Sequence, residues 1–157
     1  MAEQNLGAVL VVGAGAGGIK ASIDLAERGC RVILAESSPA LGGILSQLDY
    51  QFPNNHCGLC RMLPAWERDT ASDYCMRKGL FHENIRILPM TELAGLEGEA
   101  GRFEAVLRTR PRGVDPGRCI GCGRCEEVCP VEVGDGFNEG LARRKAVYRE
   151  VPHNVPF

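Results

Sequence analysis

The chain opens with an unbroken apolar run, residues 6–12, which ends at glycines. Such a run predicts a strand buried on both faces of a parallel sheet, because alternation disappears when neither face meets water. The period then changes. Ile19, Ile23 and Ala26 recur on one face of a helix, and Gly29, after Glu27 and Arg28, supplies its stop signal. Residues 32–35 predict a second strand and 85–88 a further short one. Phe103, Ala105, Leu107 and Thr109 then alternate with Glu104, Val106 and Arg108, the period-two pattern of a half-exposed strand. Residues 97–101 read as a turn, so 91–96 and 103–109 are expected to pair as an antiparallel ribbon. The Pro- and Gly-bearing segment 111–116 breaks the pattern and marks an expected boundary between a domain at 1–110 and a module at 111–157.

Composition narrows the class. A chain of 157 residues with 45% hydrophobic positions can build one ordinary domain or two small ones. A net charge of -2 with mixed signs gives no electrostatic case for nucleic acid. No run of about 18 apolar residues is present, so membrane insertion is not expected. The start, Met1-Ala2-Glu3-Gln4-Asn5, lacks the basic region of a secretory signal, and the expected location is the cytoplasm. Eight cysteines in such a chain favour metal or redox use over structural disulfides, since cytosolic thiols are kept reduced. Twenty glycines favour sharp turns and close backbone approach to ligands.

Within the opening strand, helix and strand, Gly13, Gly15 and Gly18 fit G-x-G-x-x-G, and Glu36 ends the second strand. Each part has a physical task. The first glycine makes the turn, the second lets the backbone approach a pyrophosphate, and the helix N-terminus offers free N–H groups to it. The acid at the strand end accepts hydrogen bonds from an adenosine ribose. A lone glycine pattern is weak evidence, but the full order of strand, glycines, helix, strand and acid is specific to a dinucleotide. NAD and FAD both satisfy it.

The second constellation is Cys119-Ile120-Gly121-Cys122-Gly123-Arg124-Cys125-Glu126-Glu127-Val128-Cys129-Pro130. Thiols spaced C-x-x-C-x-x-C-x-x-x-C-P and separated by small residues can wrap a [4Fe-4S] cubane, whereas a zinc site uses two pairs held well apart. In two-cluster ferredoxins the fourth cysteine of such a run binds the other cluster. Cys119, Cys122 and Cys125 are therefore expected on one cluster with a remote fourth ligand, and Cys129 on another. Cys57, Cys60 and Cys75 form a looser group. Four readings stay open for it: part of a second cluster, a redox dithiol beside a flavin, zinc, or thiols with no role. Cys30 reads as a small packing residue. Arg143-Arg144-Lys145 reads as a solvated face, with a phosphate or acidic partner as the sharper alternative.

The pair Gly42-Gly43, six residues beyond Glu36, resembles the glycine pair that follows the ribose acid in flavoproteins with two dinucleotide-binding domains, which selects FAD. Taken together, Val11-Val12-Gly13-Ala14-Gly15, Leu41-Gly42-Gly43, Gln47-Leu48-Asp49, Phe52-Pro53, Cys57 with Cys60, the cysteine run, and Glu139-Gly140-Leu141-Ala142-Arg143-Arg144-Lys145-Ala146 resemble the N-terminal part of the A-type subunit of heterodisulfide reductase and its bacterial relatives. The resemblance implies an α/β fold: a partial FAD-binding Rossmann-like domain of thioredoxin-reductase type, with a ferredoxin-like [4Fe-4S] module. It also implies an oxidoreductase subunit that passes electrons between FAD and [4Fe-4S] clusters, with bifurcation or confurcation at the flavin in some members. The implied partners are other redox subunits of a hetero-oligomeric complex. An FAD domain of this type needs a returning half and a two-cluster ferredoxin needs a second cysteine motif, so a fragment or split subunit completed elsewhere, even by another chain, is expected. No residue is assigned as catalytic acid, base or nucleophile, since flavin and clusters can carry the redox chemistry. Two other classes remain: a non-enzymatic ferredoxin-like adaptor, and a pyridine-nucleotide-dependent dithiol reductase using Cys57 and Cys60.

Overall fold

The structure is a computed structural model that describes residues 7–48, 82–115, 117–120 and 122–149. It divides into two compact units, Met1–Arg110 and Pro111–Phe157. The expectations for Cys57, Cys60 and Cys75 lie outside the described residues.

In the first unit, strand β1 (Ala8–Val12), helix α1 (Ala16–Glu27) and strand β2 (Arg31–Ala35) follow one another as the apolar pattern requires. Strand β3 (Ile85–Leu88) lies beside β2, giving a parallel sheet in the order β1-β2-β3. The central strand is the buried one. Val32, Leu34 and Ala35 of β2 are fully enclosed, whereas Val12 at the end of β1 is 56% exposed. The expectation that β1 is buried on both faces is therefore corrected. Among the described residues β1 is an edge strand paired on one side only, and its continuous apolar character is not matched by burial.

Helix α1 packs through the expected face, with Ile19 and Ala26 buried and Ile23 half-buried, and Ser22 is enclosed beside them. The buried hydroxyl is satisfied in place: Ser22 Oγ donates to the Gly18 carbonyl at 2.8 Å. The helix ends as its sequence predicts. The N–H of Gly29 bonds to the Ala26 carbonyl and that of Cys30 to the Leu25 carbonyl, the two-bond Schellman closure that needs a left-handed residue at Gly29. A short helix α2 (Ile44–Gln47) follows the Gly42-Gly43 turn.

Strands β4 (Thr91–Glu99) and β5 (Arg102–Thr109) form the expected antiparallel ribbon. The expected turn is shorter than read, because 97–99 pair with 102–104 and leave Ala100 and Gly101 to reverse the chain. A register shift between Leu93 and Gly95 sets which residues share a face. Without it Leu96, three residues on from Leu93, would fall on the opposite face; with it both stand with Phe103, Ala105 and Leu107.

The second unit holds helix α3 (Arg124–Val128) and a hairpin of β6 (Glu132–Gly134) with β7 (Arg143–Lys145). The basic triplet of β7 braces this hairpin. Lys145 Nζ lies 3.0 Å from Glu132 Oε1, Arg143 Nε lies 3.7 Å from Glu132 Oε2, and Arg144 stacks 3.5 Å over the Tyr148 ring.

Candidate functional site

The glycine turn between β1 and α1 is built around one carboxylate. Glu36 leaves the end of β2 with only 8% of its surface exposed. Its Oε2 accepts the Ala14 N–H at 2.6 Å, and its Oε1 accepts the Ser38 N–H at 2.8 Å and the Ser37 hydroxyl at 3.2 Å. A carboxylate offers about four acceptor directions, so a direction remains for a ribose hydroxyl. The acid thus fixes the middle of the glycine turn.

The glycines differ in what surrounds them. A Cβ built on Gly13, Gly15 or Gly17 would meet nothing within 4 Å, which leaves open space along the turn for a ligand to reach the backbone. A Cβ on Gly18 would stand 1.9 Å from the Gly13 carbonyl oxygen, so this glycine is what lets α1 approach β1. The start of α1 carries no side-chain cap and no acid in its own first turn, so its N–H groups are not taken up by a capping side chain. Gly42 and Gly43 are brought to the same place: the Gly42 N–H donates to the Ala14 carbonyl at 2.7 Å, and a Cβ on Gly43 would lie 3.4 Å from the Gly15 Cα. All six glycine and acid positions read from the sequence, Gly13, Gly15, Gly18, Glu36, Gly42 and Gly43, therefore meet around one turn. The open cradle and its donors fit a dinucleotide.

Arg110 is a member of this neighbourhood that the sequence did not disclose. Its Nη2 donates to the Ser37 carbonyl at 2.7 Å, its Nε lies 3.2 Å from Glu92 Oε1, and its N–H bonds to the Met90 carbonyl. The segment that carries Glu36 is thereby tied to the far end of the ribbon, across 73 residues of chain.

In the second unit Cys119, Cys122, Cys125 and Cys129 are all reduced thiols, none of them in a disulfide. Among the described residues no three His, Cys, Asp or Glu side chains converge on a single-ion site. What supports a cluster is the donor set, four thiols along one loop. Gly123 initiates α3 from a left-handed conformation, φ 78°, which places Cys122 and Cys125 on either side of a tight turn. Cys129 ends α3 in extended backbone and turns toward the hairpin. There the N–H groups of Val147, Val131 and Ala146, with Lys145 nearby, hold its thiol below the usual cysteine range against a smaller opposing effect of burial.

The sign of that shift is testable in the metal-free chain. A depressed pKa means that Cys129 stays a thiolate at pH values where an unfolded cysteine is protonated. Iodoacetamide followed by peptide mass spectrometry is expected to label Cys129 in the folded chain at lower pH than in urea. Its thiolate contributes stability above the unfolded cysteine pKa, and this is lost as pH falls through the folded one. Identical pH profiles in the folded and unfolded chain would remove the N–H effect.

Arginines also gather at the cysteine loop. One guanidinium nitrogen of Arg112 is out of reach of solvent, and burial lowers its pKa while attraction to Cys119 partly offsets this. Arg149 covers Gly123: its Nη2 lies 2.8 Å from where a Cβ would stand, and its Nε lies 3.5 Å from Glu126 Oε2. Neither arginine belongs to the cysteine pattern, so motif spacing carried no sign of them.

Comparison with known proteins matches each part separately. Residues 8–58 match a model of the FAD dependent oxidoreductase family, and residues 113–133 match a 4Fe-4S binding domain. The cofactors read from the sequence, FAD and [4Fe-4S], are thus borne out. The chain is 42% identical over 94% of its length to an A-type iron-sulfur subunit of the CoB--CoM heterodisulfide reductase of Methanopyrus kandleri, of which it covers 21%. It is 39% identical over 94% of its length to a heterodisulfide reductase A-subunit-like protein of Archaeoglobus profundus, of which it covers 20%. The chain therefore spans about a fifth of the length of these curated relatives. A solved structure of OTEMO complexed with FAD and NADP aligns at a TM-score of 0.41 and 17% identity, over 68% of this chain and 23% of that one. Among the described residues no helix is long and apolar enough to cross a membrane.

Proposed function

We propose, from the premise that this chain is homologous to the N-terminal portion of the A-type subunit of heterodisulfide reductase, that it serves an oxidoreductase passing electrons between FAD and [4Fe-4S] clusters. One observation carries the reading. A dinucleotide turn completed by a buried ribose acid and a reduced-thiol ferredoxin loop occur in a single chain of 157 residues, so flavin and cluster chemistry belong to one polypeptide. Residues 1–110 are the FAD-binding part and residues 111–157 the cluster-binding part. Gly13 and Gly15 admit the pyrophosphate, Gly18 seats the helix beneath it, Glu36 holds the ribose, and Gly42-Gly43 close over the turn. FAD supplies the exchange between two-electron and one-electron chemistry when bound. The chain's own residues bind it, aim N–H groups at its phosphates and keep the ribose acid in place.

Cys119, Cys122 and Cys125 share one cluster in this proposal, and Cys129 serves another. Cys57, Cys60 and Cys75 are offered as further thiolate ligands. The partners are other redox subunits of a hetero-oligomeric, cytoplasmic complex, and the strand-pairing side of β1 that is vacant among the described residues accepts the rest of the FAD domain, from the same polypeptide or another chain.

The test is the flavin and iron content of the native complex purified without oxygen, beside a Glu36→Gln variant. Wild type is expected to carry stoichiometric FAD and cluster iron. The variant loses charge-assisted hydrogen bonds worth roughly 1.5–3 kcal/mol, so FAD affinity is expected to fall about 10- to 100-fold while cluster iron is unchanged. Clusters without flavin in the wild-type complex would leave the ferredoxin-like adaptor as the correct reading.

A further inference from the structure

We propose that Arg149 and Glu126 form an opposed charge pair that sets the reduction potential of the cluster held by the 119–125 loop. The inference rests on the cluster reading above and deepens it. Gly123 sits between Cys122 and Cys125 at φ 78°, a conformation that strains most side chains, and the Arg149 guanidinium lies over it, with Nη2 2.8 Å and Cζ 3.0 Å from where a Cβ would stand. The guanidinium therefore lies directly on the loop backbone that joins two ligand positions. Glu126 follows Cys125 in α3 and reaches Arg149 Nε at 3.5 Å, so the positive charge on the loop is matched by a negative one on the next turn.

The electrostatics give each member a sign. Taking one electron from a reduced flavin or another low-potential donor moves a [4Fe-4S] core from 2+ to 1+, with no proton transferred and no bond broken, and makes the thiolate-bound site more negative by one charge. A cation on the loop favours the reduced form and an anion disfavours it. The side chains are 44% and 33% exposed, so water screens them and the effect of either alone is modest. Arg112, drawn to Cys119, adds a second cation to the same loop, and Glu127 stands beside Glu126 in the first turn of α3, but it is Glu126 that meets Arg149. The arrangement is thus a positioning and tuning device; neither residue is a ligand.

Potentiometric titration of the full native polypeptide, purified without oxygen and followed by electron paramagnetic resonance, tests it. The relevant signal is first assigned by its loss in Cys125→Ser. At a fixed poise, Arg149→Gln is expected to lower the reduced-to-oxidised ratio of that cluster about fivefold, roughly 40 mV for one electron. Glu126→Gln is expected to raise the ratio by a similar factor. Arg149→Lys, which keeps the charge, stays near wild type, and the double variant R149Q/E126Q returns close to it. A merely structural role would move both single variants the same way or strip iron from both. Unchanged potentials in R149Q and E126Q, with cluster iron retained, would overturn the charge-pair proposal alone. Absence of any cluster signal from wild type that Cys125→Ser removes would overturn the cluster reading beneath it.

Discussion

Gly18→Ala is expected to abolish stoichiometric FAD binding and to destabilise the first unit, while Gly17→Ala one position away does not destabilise it. The two glycines share a helix turn and differ in surroundings. A methyl group at Gly18 would lie 1.9 Å from the Gly13 carbonyl oxygen, a backbone atom that cannot rotate aside. Relief requires α1 to lift from β1, which carries away the free N–H groups at its start and pulls on the Gly13 to Gly15 turn that Glu36 holds through the Ala14 N–H. Overpacking of this kind costs about 1–3 kcal/mol, and displacing preorganised donors by about 1 Å can cost a hundredfold. Gly17 has nothing within 4 Å of its would-be Cβ and lies in the helix, so alanine there gains about 0.5–1 kcal/mol of helix propensity. Thermal melting and flavin content of the two variants, measured side by side, check this. Normal flavin content and melting in Gly18→Ala would show that α1 does not need its close seat.

The parts of this fold that were legible in the sequence are those written in neighbouring residues. The Schellman end of α1 could be read because Gly29 follows the last helical turn directly, and the bounds of β3 follow from four consecutive residues set between Asn84 and Pro89. The burial of Ser22 on the face of α1 was not legible because periodicity weighs hydrophobicity, while close packing also admits a small hydroxyl that bonds within the helix. The full length of β4 was hidden by the composition of 97–101, whose Gly98 and Gly101 read as a longer turn although 97–99 are paired. The glycines and Glu36 were legible as a motif, but the motif does not say that Glu36 also anchors the Ala14 N–H. Arg110 and Arg149 were invisible for a plainer reason. Each acts on backbone far from it in sequence, on Ser37 and Gly123, and pairwise contacts at that distance leave no mark on local pattern.

Serine substitution along the cysteine run is expected to separate its members into two groups, and this is the largest effect expected in the second unit. Cys119→Ser, Cys122→Ser and Cys125→Ser should each remove the same paramagnetic signal and about four iron atoms per polypeptide, because a cubane that loses a thiolate from a three-residue loop loses its hold on that loop. Cys129→Ser should leave that signal in place and perturb another. The local structure already distinguishes this sulfur from the rest. Cys122 and Cys125 are exposed on either side of the Gly123 turn, whereas Cys129 closes α3 in extended backbone and its sulfur meets the N–H groups of Val147, Val131 and Ala146. Those N–H groups favour the thiolate that a cluster requires, but they belong to the hairpin and not to the loop. A sulfur fixed by the hairpin is held independently of the other three, and its loss does not loosen the Cys119 to Cys125 turn. Iron analysis and resonance spectra of the four variants in the full polypeptide decide the matter. If Cys129→Ser removed the same signal as Cys125→Ser and left every other signal intact, the run would be one self-sufficient four-cysteine site.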